Sequence, residues 1–513
     1  MKKRTRTEYS ILNIATGIGG YILNTILGFA CRMVFVRCLS ADYLGVNGLF
    51  TNILTMLSLT ELGIGSAIGY ALYKPLAEND EEKIASLVKF YQRAYHIIGI
   101  VVACVGLALM PFLNIIIQEK PAISESIYLL YLINLFNTAS TYFFSYRSSL
   151  LVVAQQNYIV SGLNYIITIL QSILQSLFLV ITHNYLGYLM IQTAGTFIYN
   201  VTISTIAGKR FPFIKAKNIR PLPREERQSL FNNIRDLTIY KISGLLVNST
   251  DNILITFFKG LATTGVASNY TLLVNTLNSL LNQVFNGLTA SVGNHNATES
   301  DEKKFEMFSF LNLMNFWIFG WAALGIVFCS TDLVRLCFGN EYVLSISIPL
   351  VMALNFYTVG LQNAVWTYKQ TMGLFHYGRF LQIITAILNI VFSVILGYKC
   401  GVFGILFATF LARLFTNLWY DPYAVFVYGF GKSPMLYLVK YIQYLVVLGI
   451  AAGVCYIVLT PIHMPIFAQI ILKILLCSII CNMIFYIIFR KTQEFQKVKE
   501  IAKNVFSILL WRR

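Results

Sequence analysis

Apolar runs long enough to cross a bilayer recur along the whole chain, separated by short polar stretches. A hydrocarbon core of ~30 Å needs about 20 mostly apolar residues per helix. On that rule the pattern predicts fourteen membrane helices, at about 10–36, 44–70, 95–117, 127–149, 159–182, 186–207, 238–258, 264–290, 308–330, 345–369, 379–397, 402–422, 437–459 and 466–489. Spans of this length must satisfy their backbone groups internally, so the expected fold is all-α and polytopic.

Within several spans the polar residues recur every three or four positions, which puts them on one helix face. Span one carries Asn13, Gly17, Gly20, Asn24, Gly28 and Arg32, and span two carries Asn47, Thr51, Thr55, Ser58 and Glu61. Asn134, Asn137, Thr141 and Ser145 mark span four; Ser161, Asn164, Thr168, Gln171 and Gln175 mark span five. Span eight has Asn275, Asn278, Asn282 and Asn286, and span ten has Asn355, Thr358, Gln362 and Trp366. Unpaired amides are expensive in hydrocarbon, so these faces turn inward. They serve either helix packing through interhelical hydrogen bonds or a water-filled cavity. Asparagine running nearly the full depth of span eight fits the cavity better. A lining of amides and hydroxyls suits sugars more than apolar drugs.

Composition removes the soluble alternative. Of 513 residues, 57% are hydrophobic and 12% charged, against about 25% charged in soluble proteins. The net charge of +17 reflects topology rather than nucleic-acid binding: 30 Lys and Arg flank one set of loops and five (Arg37, Lys120, Lys259, Arg335, Lys399) the other. By the positive-inside rule both termini are cytoplasmic. The first span follows Lys2, Lys3, Arg4 and Arg6 and reads as an uncleaved anchor. The longest inner loop, 208–237, is a basic linker containing KRFPFIKAKNIRPLPREER. After Arg490, the positions Phe495, Val498, Ile501, Val505 and Leu509 predict an amphipathic helix lying on the inner leaflet.

The two halves repeat at an offset near 220: RMVFVRCLSADYLGVNGLFTN from Arg32 overlies NILITFFKGLATTGVASNYTL from Asn252, pairing Gly45 with Gly265. EEK at 81–83 overlies DEK at 301–303, and Tyr146-Arg147 pairs with Tyr368-Lys369. Six spans is an even number, so the copies share one orientation, a parallel repeat about an axis along the membrane normal. The expected organisation is a six-helix lobe at 1–207, the linker at 208–237, a second six-helix lobe at 238–430, an extra helix pair at 431–489 and a tail at 490–513.

Ionisable residues inside spans are functional candidates. Arg32, Glu61, Asp251 and Arg413 qualify. Arg32 can alternatively snorkel to the outer interface, and Glu61 and Asp251 can form structural ion pairs. Lys241 and Lys473 lie near span ends, where snorkelling is expected. With Arg32, Lys241, Arg413 and Lys473 against two acids, the embedded charge favours an anionic group such as a diphosphate. The nine scattered cysteines show no CxxC pair, so neither a zinc site nor a disulfide framework is expected. GxxxxGK[ST], HExxH and GxSxG are absent and the longest outer loop, 331–344, is about 14 residues. An enzyme is therefore not expected, and no cofactor or metal is called for.

Arg37-Cys38-Leu39-Ser40-Ala41-Asp42-Tyr43-Leu44-Gly45 followed by Leu62-Gly63-Ile64-Gly65 resembles the Wzx-type polysaccharide-biosynthesis flippases of the multidrug/oligosaccharidyl-lipid/polysaccharide exporter superfamily. Asn248-Ser249-Thr250-Asp251 and Tyr146-Arg147 are similar to that family as well. The resemblance implies two lobes working by alternating access around a cationic, polar cavity in a bacterial plasma membrane. The cargo would be undecaprenyl-diphosphate-linked oligosaccharide moved from the inner to the outer leaflet, with its lipid tail left in the bilayer. Substrate contacts would come from Asn24, Arg32, Glu61, Arg147, Asp251, Asn275, Asn278, Asn282, Gln362 and Arg413. The polymerase and glycosyltransferases of the same glycan are the implied partners, and capsule or exopolysaccharide the implied product. Two rivals stand: a cation-coupled multidrug antiporter, which would depend on Glu61 and Asp251, and a flippase for peptidoglycan precursor or teichoic-acid units.

Overall fold

The computed structural model describes residues 6–58, 71–72, 75–76, 78–117, 121–154, 156–216, 219–374, 377–378, 380–462 and 464–500. Among them there are helices and turns but no strand. In the first half run α1 (Arg6–Cys38), α2 (Ala41–Leu57), α3 (Glu81–Leu109), α4 (Ile127–Val153), α5 (Asn157–Thr182) and α6 (Tyr185–Arg210). A long helical stretch, Arg224–Thr298, breaks at Gly260 into α7 (224–259) and α8 (261–298). Then follow α9 (Asp301–Phe338), α10 (Ser347–Leu361), α11 (Asn363–Thr371), α12 (381–400) and α13 (402–414), split at Gly401, and α14 (Asn417–Ala424), α15 (Met435–Leu459) and α16 (Ile466–Phe489). Every expected span falls on one of these, spans ten and twelve each on two pieces; the end of span two lies outside the described residues.

Seven stretches among the described residues meet a strict test of length and apolarity for membrane crossing. Polar stripes lower the apolarity of some of the others. α4, for example, has 27 residues, about 40 Å at 1.5 Å per residue, but carries Asn134, Asn137, Thr138, Thr141 and Ser145.

The repeat is visible in where helices begin. α2 and α8, α3 and α9, and α4 and α10 start 220 positions apart. Local chemistry fixes two of these starts. The Asp80 carboxylate accepts from the Lys83 amide (2.9 Å) to cap α3, and both α3 and α9 place acids in the first turn, where the helix dipole favours them. Gly260 adopts φ 81°, a left-handed conformation costly for other residues, and so permits a one-residue reversal between α7 and α8.

Contacts divide the chain into two compact units, Met1–Gly265 and Val266–Arg513. In the first, α1 packs on α5, and α4 is held between α3 and α6. Lipid-facing positions stay apolar and exposed, as at Ile166, Leu170, Ile173 and Leu177 of α5. This unit contains a close crossing of repeat-related segments. A Cβ on Gly45 would meet the Leu261 carbonyl oxygen at 2.0 Å, and one on Gly265 would meet the Ala41 carbonyl oxygen at 2.2 Å. Residues 41 and 45 thus meet 265 and 261 reciprocally, and only glycine allows that approach.

In the second unit α9 packs against α10, α15 and α16 around Phe316, Phe319, Phe356, Tyr444 and Phe485. α9 runs beyond its apolar core to Phe338, which puts Asp332 inside the helix rather than in an outer loop. Lys473 does not snorkel: its ammonium lies 2.7 Å from Asp332, with side chains 14% and 6% exposed. Arg335 (3.2 Å) and the Gln469 amide (3.1 Å) complete this clasp of α16 onto α9. Beyond α16, helical residues 493–500 turn Phe495 onto Trp317, ring centroids 5.6 Å apart, so the start of the tail packs on this core. Its Ile501, Val505 and Leu509 lie outside the described residues.

Candidate functional site

Arg147 sits 20 residues into α4, on the side where Lys and Arg accumulate. It is half-buried. One guanidinium nitrogen donates to the Ser204 hydroxyl of α6 (2.8 Å), the cation lies 5.4 Å from the Tyr146 ring centre, and the buried Nε has no hydrogen-bond partner. No carboxylate among the described residues forms an ion pair with it. The second copy treats the equivalent cation differently. Lys369 of α11 contacts Asp421 of α14 at 2.5 Å, with side chains 14% and 2% exposed, and the Trp366 indole donates to the other Asp421 oxygen (3.2 Å). Around the position corresponding to Asp421 the first copy has Tyr199, Asn200 and Val201. One repeat neutralises its cation internally. The other leaves its half-buried cation without a carboxylate partner among the described residues.

The asparagine face of α8 is partly a packing device. Asn282 donates to Asn278 (3.3 Å) and accepts from Asn363 of α11 (3.3 Å), so a chain of three amides joins the two helices. Asn275 is exposed, one turn along the same face. Gln362, at the break between α10 and α11, is 1% exposed and donates to the Asn417 carbonyl (2.8 Å), which places it inside the packing of the second unit. On α4, Asn134, Thr141 and Ser145 bond carbonyls of their own helix. In the first unit Gln175 bonds the Tyr188 carbonyl, while the Oδ1 atoms of Asn24 and Asn137 are buried without partners. Unpaired buried oxygens of this kind commonly bond ordered water.

Arg32, Asp251 and Arg413 are each half-buried, and each interacts with another group. The Arg32 charge acts on Tyr185 and Tyr188, which pack with Phe35. Glu61 lies outside the described residues, as do Leu62-Gly63-Ile64-Gly65 and the side chains of Asn13, Lys241, Asn248 and Asn286. The structure brings Asn278 and Asn282 together, and adds Asn363, Ser204 and Asp421, which pattern reading overlooked. A faint signal existed for Asp421, since spans ten and twelve end on the same side with Lys369 and Asp421.

Cys455, Cys477 and Cys481 are the one group among the described residues whose donor atoms could share a metal, with Cys455 and Cys477 4.0 and 3.9 Å from Cys481. They sit in the apolar core of α9, α15 and α16. Several thiolates there would have no countercharge, so these thiols act as small packing residues.

No protein-family profile and no curated protein sequence matches the chain. Solved structures do. The lipid II flippase MurJ in an inward closed conformation superimposes with a TM-score of 0.67 at 15% identity, covering 93% of this chain and 99% of that one. An inward-facing multidrug resistance MATE family transporter of the MOP superfamily gives 0.60 at 14% identity, covering 78% and 94%. A MATE transporter from Vibrio cholerae gives 0.54 at 12% identity, covering 82% and 97%. What is shared at these identities is the fold.

Proposed function

We propose that this chain is a membrane flippase that moves undecaprenyl-diphosphate-linked oligosaccharide from the inner to the outer leaflet, for capsule or exopolysaccharide. The observation that carries the reading is Arg147, a half-buried cation whose Nε is unpartnered while its repeat counterpart is neutralised by Asp421. Arg147 binds the diphosphate, its planar guanidinium donating to two oxygens at once. Asn24, Asn137 and the exposed part of the α8 asparagine face meet sugar hydroxyls. Arg32 and Arg413 supply further positive potential. A cation-coupled antiporter needs an embedded carboxylate able to exchange its ion. Asp332 and Asp421 are each already held by a lysine, so that role would fall to Asp251 or to Glu61, which lies outside the described residues.

The test is export of surface glycan in cells depending on this chain. Arg147→Ala leaves the protein in the membrane, lowers export at least tenfold and accumulates lipid-linked oligosaccharide inside, and Arg147→Lys recovers part of it. Wild-type export by Arg147→Ala contradicts the reading. The likeness to the lipid II flippase favours a second cargo, a peptidoglycan precursor. It is separated by asking which lipid-linked glycan accumulates on depletion.

A further inference from the structure

After α6 the basic linker returns to the start of α3. The Ser86 hydroxyl donates to the Arg220 carbonyl (2.7 Å), Glu82 pairs with Arg220 (3.3 Å), Lys83 pairs with Glu226, and Phe90 meets Phe231 edge to face, ring centroids 5.5 Å apart. These contacts enclose a cavity of about 480 Å³ lined by the cations Lys89, Arg93, Arg220 and Arg227 and by apolar Phe90, Ile97, Leu222 and Phe231. No acid lines it. Arg220 is held by Glu82, but Lys89, Arg93 and Arg227 have no ion-pair partner among the described residues.

The cavity lies across a boundary in α3. From Glu81 to Arg93 that helix is rich in charge, and from Ala94 to Leu109 it has none. Ile97, Ile100, Val101 and Val105 of the uncharged part are exposed, as lipid-facing residues are. The cations therefore sit at headgroup level, and Ile97 opens the acyl level. An occupant must carry negative charge at one end and hydrocarbon at the other. A free phosphate would leave the apolar half bare, and a zwitterionic headgroup would bring its own cation among four others.

We propose that this cavity binds an anionic glycerophospholipid of the leaflet facing the basic loops, its phosphate among Lys89, Arg93 and Arg227 and an acyl chain along Ile97. Basic pockets at the cytoplasmic membrane surface recognise such headgroups. A bound lipid would pin the linker to α3 independently of the transported cargo.

Full-length protein in detergent, titrated with phosphatidylglycerol or phosphatidylcholine and read by native mass spectrometry, tests this. Wild type retains phosphatidylglycerol preferentially. Arg93→Gln with Arg227→Gln weakens that retention by about fivefold per charge, and Arg490→Gln with Lys491→Gln does not. A second readout, Ile97→Trp in the otherwise unaltered chain, is quenched more by brominated phosphatidylglycerol than by brominated phosphatidylcholine. Equal binding of the two lipids, or undiminished preference in the Arg93/Arg227 variant, overturns the proposal. So does displacement by equimolar glycerol phosphate, which would mark a soluble-phosphate site. Preference for undecaprenyl diphosphate would mark a cargo site instead, and likewise overturn it.

Discussion

Replacing Lys369 by methionine keeps the volume of the side chain and removes its charge. Asp421 is then left 2% exposed with one remaining donor, the Trp366 indole at 3.2 Å. Breaking a buried pair from one side typically costs about 3–5 kcal/mol, and the near-complete burial of Asp421 places Lys369→Met in that range. Asp421→Asn should cost less, about 1–3 kcal/mol. Asparagine still accepts from Trp366, and Lys369, 14% exposed, can extend its ammonium towards water. The double variant removes both charges and should fall nearer wild type than Lys369→Met alone, a coupling of about 2 kcal/mol or more. Unfolding of the purified protein by denaturing detergent, followed across this double-mutant cycle, gives the coupling directly. Additive losses from the two single variants would refute a charge pair that exists chiefly to cancel itself.

At the glycine crossing, Gly45→Val forces the α2 and α8 backbones apart and should cost about 1–3 kcal/mol, with Gly265→Val behaving alike; wild-type thermal stability in either would contradict the reciprocal contact. Asn278→Leu with Asn282→Leu should abolish glycan export while membrane insertion and drug sensitivity stay normal, whereas Asn363→Leu, which removes only the bond between helices, should lose about 1 kcal/mol of stability and keep export. Equal export defects in both would show that the ladder serves packing alone. Near the tail, burial raises the Glu494 carboxyl, but its helix amide and Lys440 outweigh this and hold it below the ordinary value. The stability it contributes is present above the unfolded carboxylate range and lost as pH falls through the depressed value. Proteolysis at the tail should increase in acid, and Glu494→Gln should flatten that dependence.

Helix positions were legible because hydrocarbon leaves little choice: an apolar run of twenty residues has to be a helix, and EEK at 81–83 and DEK at 301–303 repeat at the same offset as Gly45 and Gly265. Charge pairing was less legible. Asp332 reads as a loop residue since the apolar run ends before it, yet α9 continues to Phe338 and α16 brings Lys473 alongside. Lys369 and Asp421 lie 52 positions apart at the ends of different spans, where isolated charges look like loop flanks. The distinction that matters most for Arg147, a missing carboxylate on α6, is a property of neighbours in space. Within the polar stripes, which amides bond other helices, as Gln362 does, which stay unpaired, as Asn24 Oδ1 does, and which are exposed, as Asn275 is, depends on helix rotation.

The most direct measurement places the purified protein in liposomes with fluorescent undecaprenyl-diphosphate oligosaccharide and follows its loss to an impermeant quencher. Movement between leaflets should be fast with wild type, at least tenfold slower with Arg147→Ala and partly restored with Arg147→Lys. Movement of the labelled lipid no faster than in protein-free liposomes, together with cation-driven efflux of a drug by the same preparation, would contradict the account.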